Sequence, residues 1–136
     1  MPKIEKFLMR DSDYKDEVIA LVTYLVDSNK LIIEPIVPKT KKRLGNYPFA
    51  LQMTILKGQK QLTEENTKGW LSERVVPPER PGILESLHRH GIKEYNAIEI
   101  MKICHGKNAM DGTYWEPVSS TMTVDEINKF IKEKKI

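Results

Sequence analysis

Residues 18–26 read VIALVTYLV and residues 31–37 read LIIEPIV, with Asp27-Ser28-Asn29-Lys30 between them. Both runs are rich in β-branched side chains, which suit a pleated surface, and the polar tetrapeptide is a turn signal. The competing reading is an amphipathic helix over 16–26, capped by Ser12 or Asp13. Two β-branched runs joined by a turn favour the hairpin. Pro35 offers no amide donor, so 31–37 is expected at a sheet edge or a bulge. Upstream, Ile4 to Met9 reads as a first strand, and residues 11–15 as a polar turn. Downstream, residues 38–47 (PKTKKRLGNY) read as a basic loop, and residues 48–56 as a further short strand ended by Gly58-Gln59-Lys60.

The second half reads as helical. Thr63 is a good N-cap, and Glu64 and Glu65 complement the positive end of the helix that follows, with Trp70 and Leu71 inward. Pro81 suits a first turn, Ile83, Leu84 and Leu87 share a face, and Gly91 suits the stop. Asn96 caps a helix over 97–105 that Gly106 ends. That helix is apolar around most of its circumference, so it is expected to be central, with Ile98, Met101 and Cys104 buried. A DGTYWEP loop follows at 111–117. Thr123-Val124-Asp125-Glu126 is a capping box, and Ile127, Phe130 and Ile131 form a narrow stripe. The expected fold is α+β in one domain, 1–136. A small N-terminal antiparallel β-meander in about residues 1–60 packs against three to four short C-terminal helices in about residues 61–136.

At 136 residues the chain is long enough for a real core. Its net charge of +3 is mildly basic and neither demands nor excludes nucleic acid. The single Cys forms no internal disulfide and fits a reducing cytoplasm. The N-terminus has no apolar signal-like core, and no apolar run approaches the ~20 residues of a membrane span.

No constellation for catalysis emerges. His88, His90, Cys104 and His105 are the only soft or borderline metal ligands, and their spacing does not converge on a tetrahedral site. Cys104 and His105 are neighbours in one helix, so they do not face each other. Neither phosphate-binding glycine motif occurs. The carboxylate pairs 64/65 and 125/126 are explained by helix capping. The expectation is a non-enzyme with no metal or cofactor. Lys39, Lys41, Lys42 and Arg43 form a basic run, and Lys132, Lys134 and Lys135 another. The first run, in the basic loop, is the one for a nucleic-acid contact, since the 97–105 helix offers little for reading bases.

Residues 74–115 carry a more specific pattern. Arg74, Pro77 and Arg80 open it, Leu84 and Leu87 lead to Gly91, Ile98 leads to Gly106, and Asp111, Tyr114 and Trp115 close it, with Trp70 upstream. This stretch resembles the N-terminal module of HipA-like Ser/Thr kinases of low-GC Gram-positive bacteria. The β-rich region before it, about residues 4–60, fits in outline. Gly112-Thr113 adds one residue to the family's spacing before Tyr114-Trp115, and a kinase core has no room in this chain. The resemblance implies the non-catalytic module standing alone. It would be an antitoxin or accessory subunit that binds a separately encoded HipA-like kinase through Arg74, Arg80, Asp111, Tyr114 and Trp115. The alternatives are a DNA-associated regulator from such an operon, or a phage or mobile-element inhibitor of a host defence enzyme.

The two arginines flank a stiff elbow. Pro77 biases Val76 toward an extended conformation, and Pro78 does the same to Pro77. A guanidinium held in that setting suits bidentate pairing with a carboxylate. Asp111 is the internal partner expected for Arg74 or Arg80.

Overall fold

A computed structural model describes residues 3–108 and 110–134. The α+β class holds. Strands β1 (Ile4–Asp11), β2 (Glu17–Leu25) and β3 (Lys30–Pro35) are followed by helices α1 (Lys41–Leu44), α2 (Phe49–Leu56), α3 (Glu64–Arg74), α4 (Ile83–Arg89) and α5 (Ala97–Ile103), then strand β4 (Thr113–Val118) and helix α6 (Val124–Lys132). The strands form one antiparallel sheet in the order β3-β2-β1-β4. The residue 18–26 run is therefore a strand, and the hairpin reading stands over the helix. Its near-continuous burial follows from its place: β2 is central and covered on both faces.

Helices α2, α3 and α5 cover one face, over Phe7, Met9, Val22, Ile33 and Trp115. The other face, with Leu8 and Leu21, takes α6 through its fully buried Ile127. The register shifts between Met9 and Arg10, where Ile19 is the extra residue of a β-bulge. The three capped helices begin where expected: Thr63, Asn96 and Thr123 each accept an amide hydrogen bond from the first turn.

The β4 edge is closed to further strands and the β3 edge is partly covered. In β4 the outward positions are 113, 115 and 117. Thr113 donates its amide to Asp111 Oδ1 at 3.0 Å, Trp115 donates to the His105 carbonyl at 2.7 Å, and Pro117 has no donor. In β3, Pro35 likewise faces outward without a donor, and the Ile33 carbonyl accepts from Leu62 N at 2.9 Å. Edge prolines and covered donors suppress strand addition.

Several expectations need correction. Residues 48–56 are helix, not strand. The central Leu51-Gln52-Met53-Thr54-Ile55 alternates as a strand would, but Phe49-Ala50 and Ile55-Leu56 break the alternation at both ends, and Ala, Leu, Gln and Met favour helix. Residues 113–118 are strand, not loop, because β1 supplies a partner from the far end of the chain. The fourth strand thus lies in the half read as helical. The basic loop contains the one-turn helix α1. The expected three to four C-terminal helices are α3 to α6; the two further helices, α1 and α2, lie in the part read as β-rich, and α6 packs on the sheet face opposite α2, α3 and α5. Ile98 and Met101 are buried, but Cys104 is exposed, because α5 ends at Ile103 and Cys104 turns away from the core. Leu84 is also exposed, although Leu87 on the same helix is buried. Lys135 lies outside the described residues.

Candidate functional site

The 74–115 unit closes on an aromatic cluster. Trp70 projects inward from α3 and stacks on Trp115 of β4, with ring centroids 6.2 Å apart and planes 4° from parallel. Phe7 also meets Trp115, tilted by 32° with ring centroids 5.3 Å apart. Gly106 makes this packing feasible. Its φ is +72°, and a Cβ there would lie 2.5 Å from the Trp115 ring. The last residue of α3, Arg74, lies over Trp70, with its guanidinium carbon 4.5 Å from the ring centroid. Its Nη2 donates to Asp111 Oδ2 at 2.6 Å, and its side chain is only 5% exposed.

Asp111 is held from several directions. Its other oxygen, Oδ1, accepts from Thr113 N at 3.0 Å and from the Thr113 hydroxyl at 2.6 Å. Asn108 Oδ1 accepts the amides of Met110 and Asp111. Burial pushes the Asp111 carboxyl up, but the Thr113 hydrogen bonds and the Arg74 guanidinium outweigh it and hold it below the usual carboxylate range. The expected internal pair is therefore Arg74–Asp111. Arg80 takes no part: its side chain is exposed, and among the described residues it has no carboxylate partner. Tyr114 is partly exposed and donates its hydroxyl to Asp16 Oδ1 at 2.8 Å. Of the five residues proposed for partner contact, the fold buries Trp115 and uses Arg74 and Asp111 as a clamp. It leaves Arg80 and part of Tyr114 at the surface.

The clamp forms one end of a groove between α2 and α3. The groove has a volume of about 470 Å³ and is lined by Phe49, Ala50, Met53 and Lys57 on one wall and by Glu65, Gly69, Trp70, Glu73 and Arg74 on the other. Phe49 is 75% exposed and Leu56 64% exposed, and with Met53 they form an i, i+4, i+7 stripe on the outer side of α2. Trp70 Nε1 and Arg74 Nε, both buried, have no acceptor among the described residues. Reading 48–56 as a strand hid this stripe. The helical spacing of Phe49, Met53 and Leu56 was the available signal.

Lys39, Lys41 and Lys42 are exposed, but Arg43 is not part of their surface. Its side chain is 12% exposed and lies between the rings of Tyr14 and Tyr47, at 3.9 and 4.8 Å. Its Nε donates to Glu17 Oε1 at 3.2 Å and its Nη2 to Asp11 Oδ2 at 3.4 Å. Among the described residues, no group of three or more His, Cys, Asp or Glu side chains could hold a metal ion. Nor is any helix there long and apolar enough to cross a membrane. No family model, curated protein or solved structure matches this chain.

Proposed function

We propose that this chain is a non-catalytic protein-binding module that acts in the cytoplasm on a separately encoded HipA-like kinase, as an antitoxin or accessory subunit. The observation that supports binding is α2. A helix apolar around its circumference belongs inside a fold, yet this one leaves Phe49 and Leu56 largely in solvent. The choice of a kinase as partner rests on the 74–115 resemblance alone. Calorimetric titration against the HipA-like kinase encoded beside this gene tests it. Binding tighter than about 10 μM is expected, lost in Phe49→Asp. A folded sample that releases no heat at several times that concentration ends the kinase reading.

A second reading is a DNA-associated regulator. Ile131 of α6 lines the same pocket as Lys39 and Thr40, so the end of α6 lies beside the corner that holds Lys39, Lys41 and Lys42. Phosphate contacts there predict an affinity for duplex DNA that falls linearly on a log–log salt plot. Absence of binding at low salt removes this reading.

A further inference from the structure

Gly69 sits in the middle of α3, where glycine weakens a helix relative to alanine. The fold gives nothing back for it. A Cβ at Gly69 would meet no atom within 4 Å, and its φ is not positive. Of the other glycines, Gly58, Gly82, Gly91 and Gly106 have a positive φ and a Cβ at Gly112 would clash with Asp13, while Gly45 is the C-cap of α1 and so lies outside a helix interior. Gly69 faces the α2–α3 groove, across from Phe49 and Met53.

We infer that Gly69 is a notch for an α-helix of the partner protein. The apolar face of that helix lies along Phe49 and Met53, its backbone comes closest at Gly69, and its basic residues meet Glu65 and Glu73. This inference rests on the protein-binding reading above and names the chemistry of the partner. A glycine at the contact permits an interaxial distance near the lower limit of helix packing, about 8 Å. Phe49 and Met53, one turn apart, give the groove an apolar wall on which the apolar face of an inserted helix can pack. The charge of the groove supplies the partner's sign. Arg74 is offset by Asp111 at 2.6 Å, which leaves Glu65 and Glu73 as the exposed charges on the α3 wall. They lie two turns apart, about 12 Å along the axis. Glu73 makes only a loose 3.7 Å approach to Arg74, and Glu65 has no ion pair among the described residues. Lys57, at the C-terminal end of α2, is the one cation on the opposite wall among the described residues. The occupant is therefore an amphipathic helix with leucine-like residues toward α2 and lysine or arginine toward α3.

The test uses the full chain and two fluorescein-labelled synthetic helices of roughly 18 residues, or five turns. Both carry leucines at i, i+4 and i+7. One has lysine on its polar flank, and its sibling has glutamate there. Anisotropy is expected to show the lysine helix binding at least about tenfold tighter than its sibling. Gly69→Gln and Phe49→Asp are each expected to weaken it by about that factor or more, with circular dichroism unchanged. Gly69→Ala is expected to raise Tm, because the free fold gains helix stability. Failure of the lysine helix to bind overturns the inference. Equal binding of the two helices, or an unchanged affinity in Gly69→Gln, does so as well. Self-association of the wild type that Gly69→Gln abolishes would assign the groove to a second copy instead. Repeating the kinase titration with Gly69→Gln separates the two claims. Unchanged kinase binding sinks the notch and leaves the binding module standing, whereas loss of kinase binding in the wild type sinks only the choice of partner.

Discussion

Arg74 and Arg43 each sit against aromatic rings and hold an aspartate, yet the two aspartates respond in opposite directions. Arg74 lies over Trp70 and reaches Asp111 at 2.6 Å; Arg43 lies between Tyr14 and Tyr47 and reaches Asp11 at 3.4 Å. Asp111 is held below the usual carboxylate range. Asp11 is raised above it: burial comes first, and the Asp13 amide and the Arg43 guanidinium do not fully offset it. The contacts differ. The Arg43 contact is longer, and its charge is shared with Glu17 at 3.2 Å, where Glu73 stays 3.7 Å from Arg74. Asp111 also receives two hydrogen bonds from Thr113, where Asp11 receives one backbone bond, from Asp13 at 3.1 Å. An arginine nearby does not by itself lower a buried carboxylate. The number and closeness of donors on its oxygens decides the sign.

The largest expected effect is at Arg74. Arg74→Ala leaves Asp111 without its cation and uncovers Trp70, and it should cost about 3–5 kcal/mol. Arg43→Ala should cost less, about 1–3 kcal/mol, because its contacts are longer and its charge is divided. Urea titration of both variants measures the difference, and equal losses would break the comparison.

Next comes Asp111→Ala, expected to cost ~1–3 kcal/mol, with a double mutant with Arg74→Ala well short of the sum of the two single changes. Arg80→Ala, by contrast, should stay within ~0.5 kcal/mol of wild type. Additive losses at 74 and 111 would mean that the 2.6 Å contact contributes little to stability.

A smaller effect is expected at Asp11. Asp11→Asn keeps an oxygen for the Asp13 amide and removes a charge that burial penalises, so its stability should lie within about 1 kcal/mol of wild type. A loss of several kcal/mol would show the Arg43 pair to be as strong as the Arg74 pair.

The finest discrimination is by pH. Asp111, with its folded pKa depressed, adds stability above the unfolded aspartate value near ~3.9 and loses it as pH falls through its folded pKa. Asp11, with its folded pKa raised, does the opposite: its ionised form costs stability, and the cost is relieved as pH falls through the folded pKa. Thermal melts between pH 2 and pH 6 should therefore show less acid destabilisation in Asp111→Asn than in wild type, and more in Asp11→Asn. Parallel curves for all three proteins would contradict both directions.

The site was legible in part. A rigid proline elbow and a nearby loop carboxylate were enough to anticipate an arginine–aspartate clamp. They did not choose between Arg74 and Arg80, because the choice depends on Arg74 being the last residue of α3, directly over the inward Trp70. Arg43 looked like one more cation in a basic run. Nothing in PKTKKRLG reveals that Tyr14, Glu17 and Asp11, all from the first hairpin, close around it. The groove was invisible for a different reason: an apolar run of eight residues has the same composition in a strand as in a helix.

Features whose causes lie within a few residues can be read along the chain. These are the β2–β3 hairpin, from its β-branched runs and polar turn; the starts of α3, α5 and α6, from Thr63, Asn96 and Thr123; and the stop after α5, from Gly106. Other features follow from long-range packing. β4 exists because Met9 pairs with Trp115 from the far end of the chain. α2 is a helix half in solvent, and Cys104 faces out while Met101 faces in. Local hydrogen bonds and turn preferences act between neighbours and can be read in order along the chain. Pairing, burial and the partner of a charge depend on which distant segments meet.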